Sequence, residues 1–143
     1  MSRSRPVQGE IIDGFRLDEC IHRGTMSSLW LASFEDQDPG SPADGLVMKF
    51  PSLAEGEDVS SIVGFEVEQM ILPRLSGPHV PRFIAAGDHE DQPWLVMEHL
   101  EGDTLRPLLE QAPLPPAQVA ELGALAATAI LALHTTSSGS SCR

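Results

Sequence analysis

The sequence predicts an α+β fold, a sheet with a single helix on one face, followed by helical segments. Three observations carry that expectation. Short apolar runs suited to strands recur near residues 15–21, 29–31, 46–50, 83–86 and 93–97. Between the third and fourth runs, Ile62, Phe65, Met70, Leu72 and Leu75 fall near helical spacing. Pro115 and Pro116 then open a long helix to about His134, since proline is tolerated in a first helical turn.

Residues 1–12 read as a flexible leader, polar and without an apolar core. Strand alternation begins with Phe15, Leu17 and Ile21 and resumes at Leu29, Trp30 and Leu31. Between these runs lies a turn over 22–28 containing Gly24 and the hydroxyl residues Thr25, Ser27 and Ser28. The acidic stretch 35–45, with Pro39, Gly40 and Pro42, reads as a surface loop. Leu46, Val47, Met48, Lys49 and Phe50 form a compact apolar run closed by Pro51, which cannot extend a ladder and so suits a strand end. Residues 55–61 are acidic and polar, and Ser60 or Ser61 is a candidate helix cap. That helix ends at Ser76, Gly77 and Pro78. A turn is expected over 87–92, a short helix over 104–111, and a disordered polar tail over 135–143. No internal repeat and no Gly- or Ser-rich linker divides the chain.

At 143 residues the sequence is one domain or part of one, with enough apolar content, 41%, for a core. Nine basic against 21 acidic residues give a net charge of -12 and a pI near 4.6. Such a field repels nucleic acid and anionic membranes, so neither is an expected partner. A site for a polyanion must then supply its own local positive potential. Cys20 and Cys142 have no metal-ligand spacing and suit reduced thiols, hence a cytoplasmic location. No signal peptide is visible, and the apolar run 122–133 reads as too short to span a bilayer.

Lys49 is the residue most suggestive of chemistry. An ammonium among apolar strand residues needs a partner. Glu68, nineteen positions on, is reachable from a helix after a connecting loop. Such a pair suits phosphate clamping, with the glutamate orienting the ammonium against phosphate oxygens. The competing account is a strand-end lysine snorkelling to water beside an unrelated glutamate. His22, His79, His89, His99 and His134 show no metal-ligand spacing and read as loop or half-buried histidines. Acidic runs such as Glu55, Glu57 and Asp58 read as solvated loop, and the serines 137–141 as a flexible tail.

Taken in order, these residues resemble the small lobe of a protein kinase, in particular a bacterial serine/threonine kinase of the eukaryotic type. Val47-Met48-Lys49 resembles the family's strand lysine motif, and Glu68 falls where its helix glutamate stands. Residues 95–105, from Leu95-Val96-Met97 through Glu98-His99-Leu100-Glu101-Gly102 to Asp103-Thr104-Leu105, look like the strand that leads into the adenine-binding hinge. The resemblance covers about 14–134. It implies a five-stranded antiparallel sheet with one packed helix over 13–102, and the first helices of a truncated larger lobe over 103–134. It also implies site residues. Lys49 and Glu68 would be catalytic, and Gly24, Leu29, Val47, Lys49, Met97, Glu98, Leu100, Asp103 and Thr104 would hold ATP. Met97 would be the gatekeeper, the backbones of Glu98 and Leu100 would bond adenine, and Asp103 or Thr104 would lie near the ribose.

Two departures qualify what the resemblance implies. The family's phosphate loop carries three glycines whose bare backbone approaches phosphates. Here only Gly24 remains, with His22 and Ser27 at the other two positions, so a phosphate loop and a plain β-turn both stay open. The His-Arg-Asp and Asp-Phe-Gly strings that supply the family's base and metal ligands do not occur. The chain is therefore expected to be inactive alone. Mg and a protein substrate belong to an intact parent. A pseudokinase-type scaffold, an inactive gene fragment and an unrelated α+β domain are the alternatives. The helix 116–134 is apolar around most of its circumference, so self-association through it is also expected.

Overall fold

The computed structural model describes residues 5–38, 45–52 and 60–138. Along the chain run β1 (Ile11–Ile12), β2 (Phe15–Arg23), β3 (Ser27–Phe34), β4 (Leu46–Pro51), α1 (Ser60–Ile71), a 3-10 turn (Leu72–Arg74), β5 (Phe83–His89), β6 (Gln92–Glu98), a 3-10 helix (Arg106–Gln111) and α2 (Pro116–Ser138). The chain divides into two compact units, Met1–Arg74 with Pro81–Leu100, and Leu75–Val80 with Glu101–Arg143.

The first unit is a six-stranded antiparallel sheet in the order β1-β2-β3-β4-β6-β5. The expected count of five is corrected by β1, which also takes residues 11 and 12 out of the expected leader over 1–12. Ile11 and Ile12 pair with Arg16 and Phe15, and Ile12 is 3% exposed in the core. Asp13 and Gly14 turn the chain at φ 49° and 89°. An Asp-Gly pair between apolar residues is a strong hairpin signal, because both central positions of the favoured turn need positive φ.

Alternation along each strand sorts side chains onto two faces. Phe15, Leu17, Trp30, Ala32, Leu46, Met48, Phe50, Trp94 and Val96 form the main core on one face. On the other, Leu95 is fully buried against Phe65 of α1 and Leu72, with Phe83 and Met97 packed around them. Helical spacing alone placed Met70 with that set. It is 63% exposed instead, because Phe65 and Leu72 define the buried stripe of the helix and Met70 lies off it. The sheet curls until its ends meet. Trp94 Nε1 on β6 donates to Asp13 Oδ2 at 2.8 Å, and His89 Nδ1 on β5 lies 3.5 Å from Asp13 Oδ1. The Trp94 ring also packs edge-on to Phe15, with centroids 5.7 Å apart.

The turn expected over 87–92 is corrected to Glu90 and Asp91, whose φ values of 51° and 63° close a tight hairpin. Gly87 belongs to β5. A Cβ there would stand 2.6 Å from the Trp94 ring, so glycine here serves a close approach and not a turn.

In the second unit, the short helix expected over 104–111 is a 3-10 segment, Arg106–Gln111. The long helix begins at Pro116 as expected but runs to Ser138, so the tail expected over 135–143 is helical at its start. Thr135 Oγ1 donates to the carbonyls of Leu131 and Ala132, which satisfies its hydroxyl within the helix. Val119, Leu125, Ile130 and Leu131 are all more than half exposed. The segment Pro116–Thr135 is 20 residues with mean hydropathy 1.5, so by length and composition it is able to cross a membrane. That corrects the expectation of too short a span, which stopped at residue 122 because Glu121 interrupts the run. A core helix of a soluble protein has the same length and composition.

Candidate functional site

The site is built on the second face of the sheet. Lys49 occupies the fourth position of β4, between inward-facing Met48 and Phe50, so its side chain emerges on the α1 side. There its Nζ lies 2.6 Å from Glu68 Oε2, the two side chains being 21% and 36% exposed. The pair is thus partly screened from water yet still reachable by a ligand. Leaving either charge alone on this face is unfavourable, which favours the paired arrangement. Lys49 is also the single lysine of the whole sequence, a fact that counting residue types would have revealed.

Strand register brings the apolar residues expected to hold a nucleotide onto the same face. Leu29 stands opposite Lys49, which stands opposite Leu95. One pair along, Leu31, Val47 and Met97 form a second row. Leu29, Val47 and Met97 therefore flank the Lys49 ammonium as a platform crossing three strands.

Two groups that sequence reasoning missed fix this geometry. Gln69, next to Glu68, donates its side-chain amide to the carbonyls of Trp94 at 2.8 Å and Gly87 at 3.3 Å. The amide ties α1 to β5 and β6, and with Phe65 and Leu72 it sets the rotation that aims Glu68 at Lys49. Nothing in the sequence signals it, since an isolated glutamine on a helix is ordinarily solvated. The second group is Ser52, directly after β4, whose N–H donates to Met26 O and whose Oγ donates to Gly24 O, both at 2.9 Å.

Gly24 itself lies in the turn between β2 and β3, where its N–H donates to Ser27 O at 2.9 Å. The His22 imidazole folds back over it, and a Cβ on Gly24 would meet His22 Nε2 at 2.8 Å. A side chain at position 24 would therefore have to displace the exposed His22 ring. At the other end of the platform, Glu98 spends its N–H on Arg82 O, and His99 donates to Gly45 O, both at 2.9 Å. What the Glu98 backbone can offer a ligand is its carbonyl. The Leu100 N–H has no partner among the described residues, and the residue is 57% exposed. Asp103 and Thr104 lie in the second unit and are exposed.

His89 acquires a carboxylate neighbour, Asp13, and the contact serves the sheet closure. Among the described residues no group of three or more His, Cys, Asp or Glu side chains is arranged to hold a metal.

A curled antiparallel sheet with one helix, bearing a strand lysine paired to a helix glutamate, defines the small lobe of a protein kinase-like phosphotransferase. The model of the phosphotransferase enzyme family (APH) matches residues 38–143, and the chain belongs to that family. Solved kinase structures share the fold. The kinase domain of Mycobacterium tuberculosis PknI superposes with a TM-score of 0.67 at 23% identity, covering 92% of this chain and 51% of that one. The PpkA-294 apo form gives 0.60 at 19% identity, covering 78% and 44%. This chain therefore spans about half the length of the solved structures it matches. No curated protein sequence matches it significantly.

Proposed function

We propose that this chain is the ATP-holding lobe of a serine/threonine protein kinase, acting in the cytoplasm. The Lys49–Glu68 pair carries the proposal, standing at 2.6 Å on a face that also bears Leu29, Val47 and Met97. An apolar platform beside one cation, with the Leu100 N–H available at one end, matches the chemistry of adenine joined to phosphates. The apolar side chains would sandwich the base. The Glu98 carbonyl would accept from its amino group and the Leu100 N–H would donate to its ring. Glu68 orients the Lys49 ammonium, which neutralises phosphate oxygens. Asp103 and Thr104 are the candidates for the ribose. Mg would be held, and the acceptor hydroxyl of a protein substrate oriented, by carboxylates of the His-Arg-Asp and Asp-Phe-Gly kind, strings that do not occur in this sequence.

A second reading, a nucleotide-binding scaffold without catalysis, is favoured by the turn at Gly24, where His22 and Ser27 replace glycines. One pair of measurements separates the two. In an NMR titration the chain is expected to bind ATP no tighter than roughly millimolar, about 4 kcal/mol. Lys49→Met is expected to remove that binding with the fold retained. Radiolabel transfer to a generic protein acceptor is expected to be nil for this chain. A version extended through the catalytic loop separates kinase from scaffold by transferring label or failing to. Binding that survives Lys49→Met unchanged would overturn both readings.

A further inference from the structure

We propose that Ser52 is a positioning residue for the β2–β3 turn, setting the peptide planes that present an amide donor to a phosphate. The inference rests on the nucleotide-binding reading above. A turn built on three glycines is shaped by the ligand it wraps, because glycine backbone is permissive. This turn has one glycine, and its conformation is set from outside. Ser52 reaches it twice, through Oγ to Gly24 O and through N–H to Met26 O, each at 2.9 Å.

A trans peptide points its carbonyl and the following N–H in opposite directions. With Gly24 O turned toward Ser52, the Thr25 N–H is directed away from it. That N–H has no partner among the described residues, and Thr25 is exposed. The Gly24 N–H is already committed to Ser27 O, so it is not the donor on offer. The exposed His22 ring also comes within 2.8 Å of where a Cβ on Gly24 would stand. Ser52 follows directly on β4, the strand that carries Lys49, so one strand positions both the cation and the turn. The Thr25 amide is thereby the turn's preorganised phosphate donor, and Ser52 acts through it without touching the ligand.

The test compares the full chain with Ser52→Ala, which removes the hydroxyl, and Ser52→Thr, which keeps it. Three quantities are read, namely amide hydrogen exchange across the sheet, the thermal midpoint, and the ATP-induced NMR shift of the Thr25 amide. In Ser52→Ala the Gly24 and Ser52 amides, which donate to Ser27 O and Met26 O, are expected to exchange faster while β4 and β6 stay protected. ATP affinity is expected to fall about fivefold, the factor one net hydrogen bond contributes. Ser52→Thr is expected to restore both. Unchanged exchange and affinity in Ser52→Ala overturn the proposal. So does a loss of affinity that merely tracks a lowered midpoint and exchange spread over the whole sheet. If the parent chain and Lys49→Met both show no ATP shift, the nucleotide reading has failed and the positioning role falls with it. Exchange confined to the turn in Ser52→Ala then shows that the latch itself was real.

Discussion

The two units of this chain are of similar apolar composition but differ in what they do with it. In the sheet unit, Leu17, Met48, Leu95 and Val96 are fully buried, and the polar groups of Trp94, Gln69 and Ser52 all find partners. In the second unit no described residue from 101 to 135 is buried, although α2 carries Val119, Leu122, Leu125, Ile130 and Leu131. A sheet satisfies its backbone and its apolar faces only through neighbours distant in sequence, so six strands and one helix make a core together. A helix satisfies its backbone alone and forms without its eventual packing partner. Secondary structure in the second unit is therefore local, whereas in the first it is a product of the tertiary fold.

The sharpest way to break that contrast is to separate the units. A chain ending at Gln111 is expected to keep a folded sheet, to lose binding of a hydrophobic dye, and to remain monomeric in sedimentation. The full chain is expected to self-associate and bind dye through α2, despite its charge of -12. A monodisperse full chain that binds no dye would remove the case for an unpartnered helix. Partition of the full chain into neutral vesicles instead of self-association would make the 20-residue span its better description.

Point substitutions sharpen the comparison on a finer scale. Leu95→Ala is expected to cost about 2–5 kcal/mol, the usual range for a buried leucine. Leu125→Ala, 62% exposed, is expected to stay within about 0.5 kcal/mol. Tryptophan fluorescence reads the first directly, because Trp30 and Trp94 are the chain's two tryptophans and both are buried in the sheet unit. Helix circular dichroism reads the second. A comparable loss at both positions would mean that α2 is packed after all.

Next in size is the closure of the sheet. Asp13→Ala leaves Trp94 Nε1, on a side chain from the 5%-exposed Trp94, without its acceptor. A loss of about 1–3 kcal/mol in urea denaturation is expected. Asp13→Asn, which keeps a carbonyl acceptor, is expected to recover most of it.

Substitutions at the site are expected to disturb stability less than that closure does. Lys49→Met is expected to change unfolding free energy by no more than about 1 kcal/mol, because the pair is partly hydrated. Gln69→Ala is expected to loosen the same pair, and acylation of Lys49 by an amine reagent checks it. As the sole lysine, Lys49 gives a single side-chain product, and faster labelling in Gln69→Ala marks a freed ammonium. Equal labelling rates would show that the glutamine does not set the orientation of Glu68.

Much of the fold was legible because its signals are local. The run Leu46 to Phe50 closed by Pro51, the spacing from Lys49 to Glu68, and the prolines before α2 each state their element within a few residues. From sequence alone came the order of β2 to β6 and the helices, the residue types of the candidate site, and a long apolar helix. Tertiary structure decided the rest. It added β1 by pairing Ile11 and Ile12 across the Asp13–Gly14 turn, and assigned Gly87 to a strand because the Trp94 ring lies against it. It chose Phe65 and Leu72 over Met70 as the buried side of α1. It also recruited Gln69 and Ser52, whose partners lie 18–25 and 26–28 positions away. Hydrogen bonds between a side chain and a distant backbone leave no periodicity in sequence, which is why the residues holding the site in place emerged only once the sheet had brought them together.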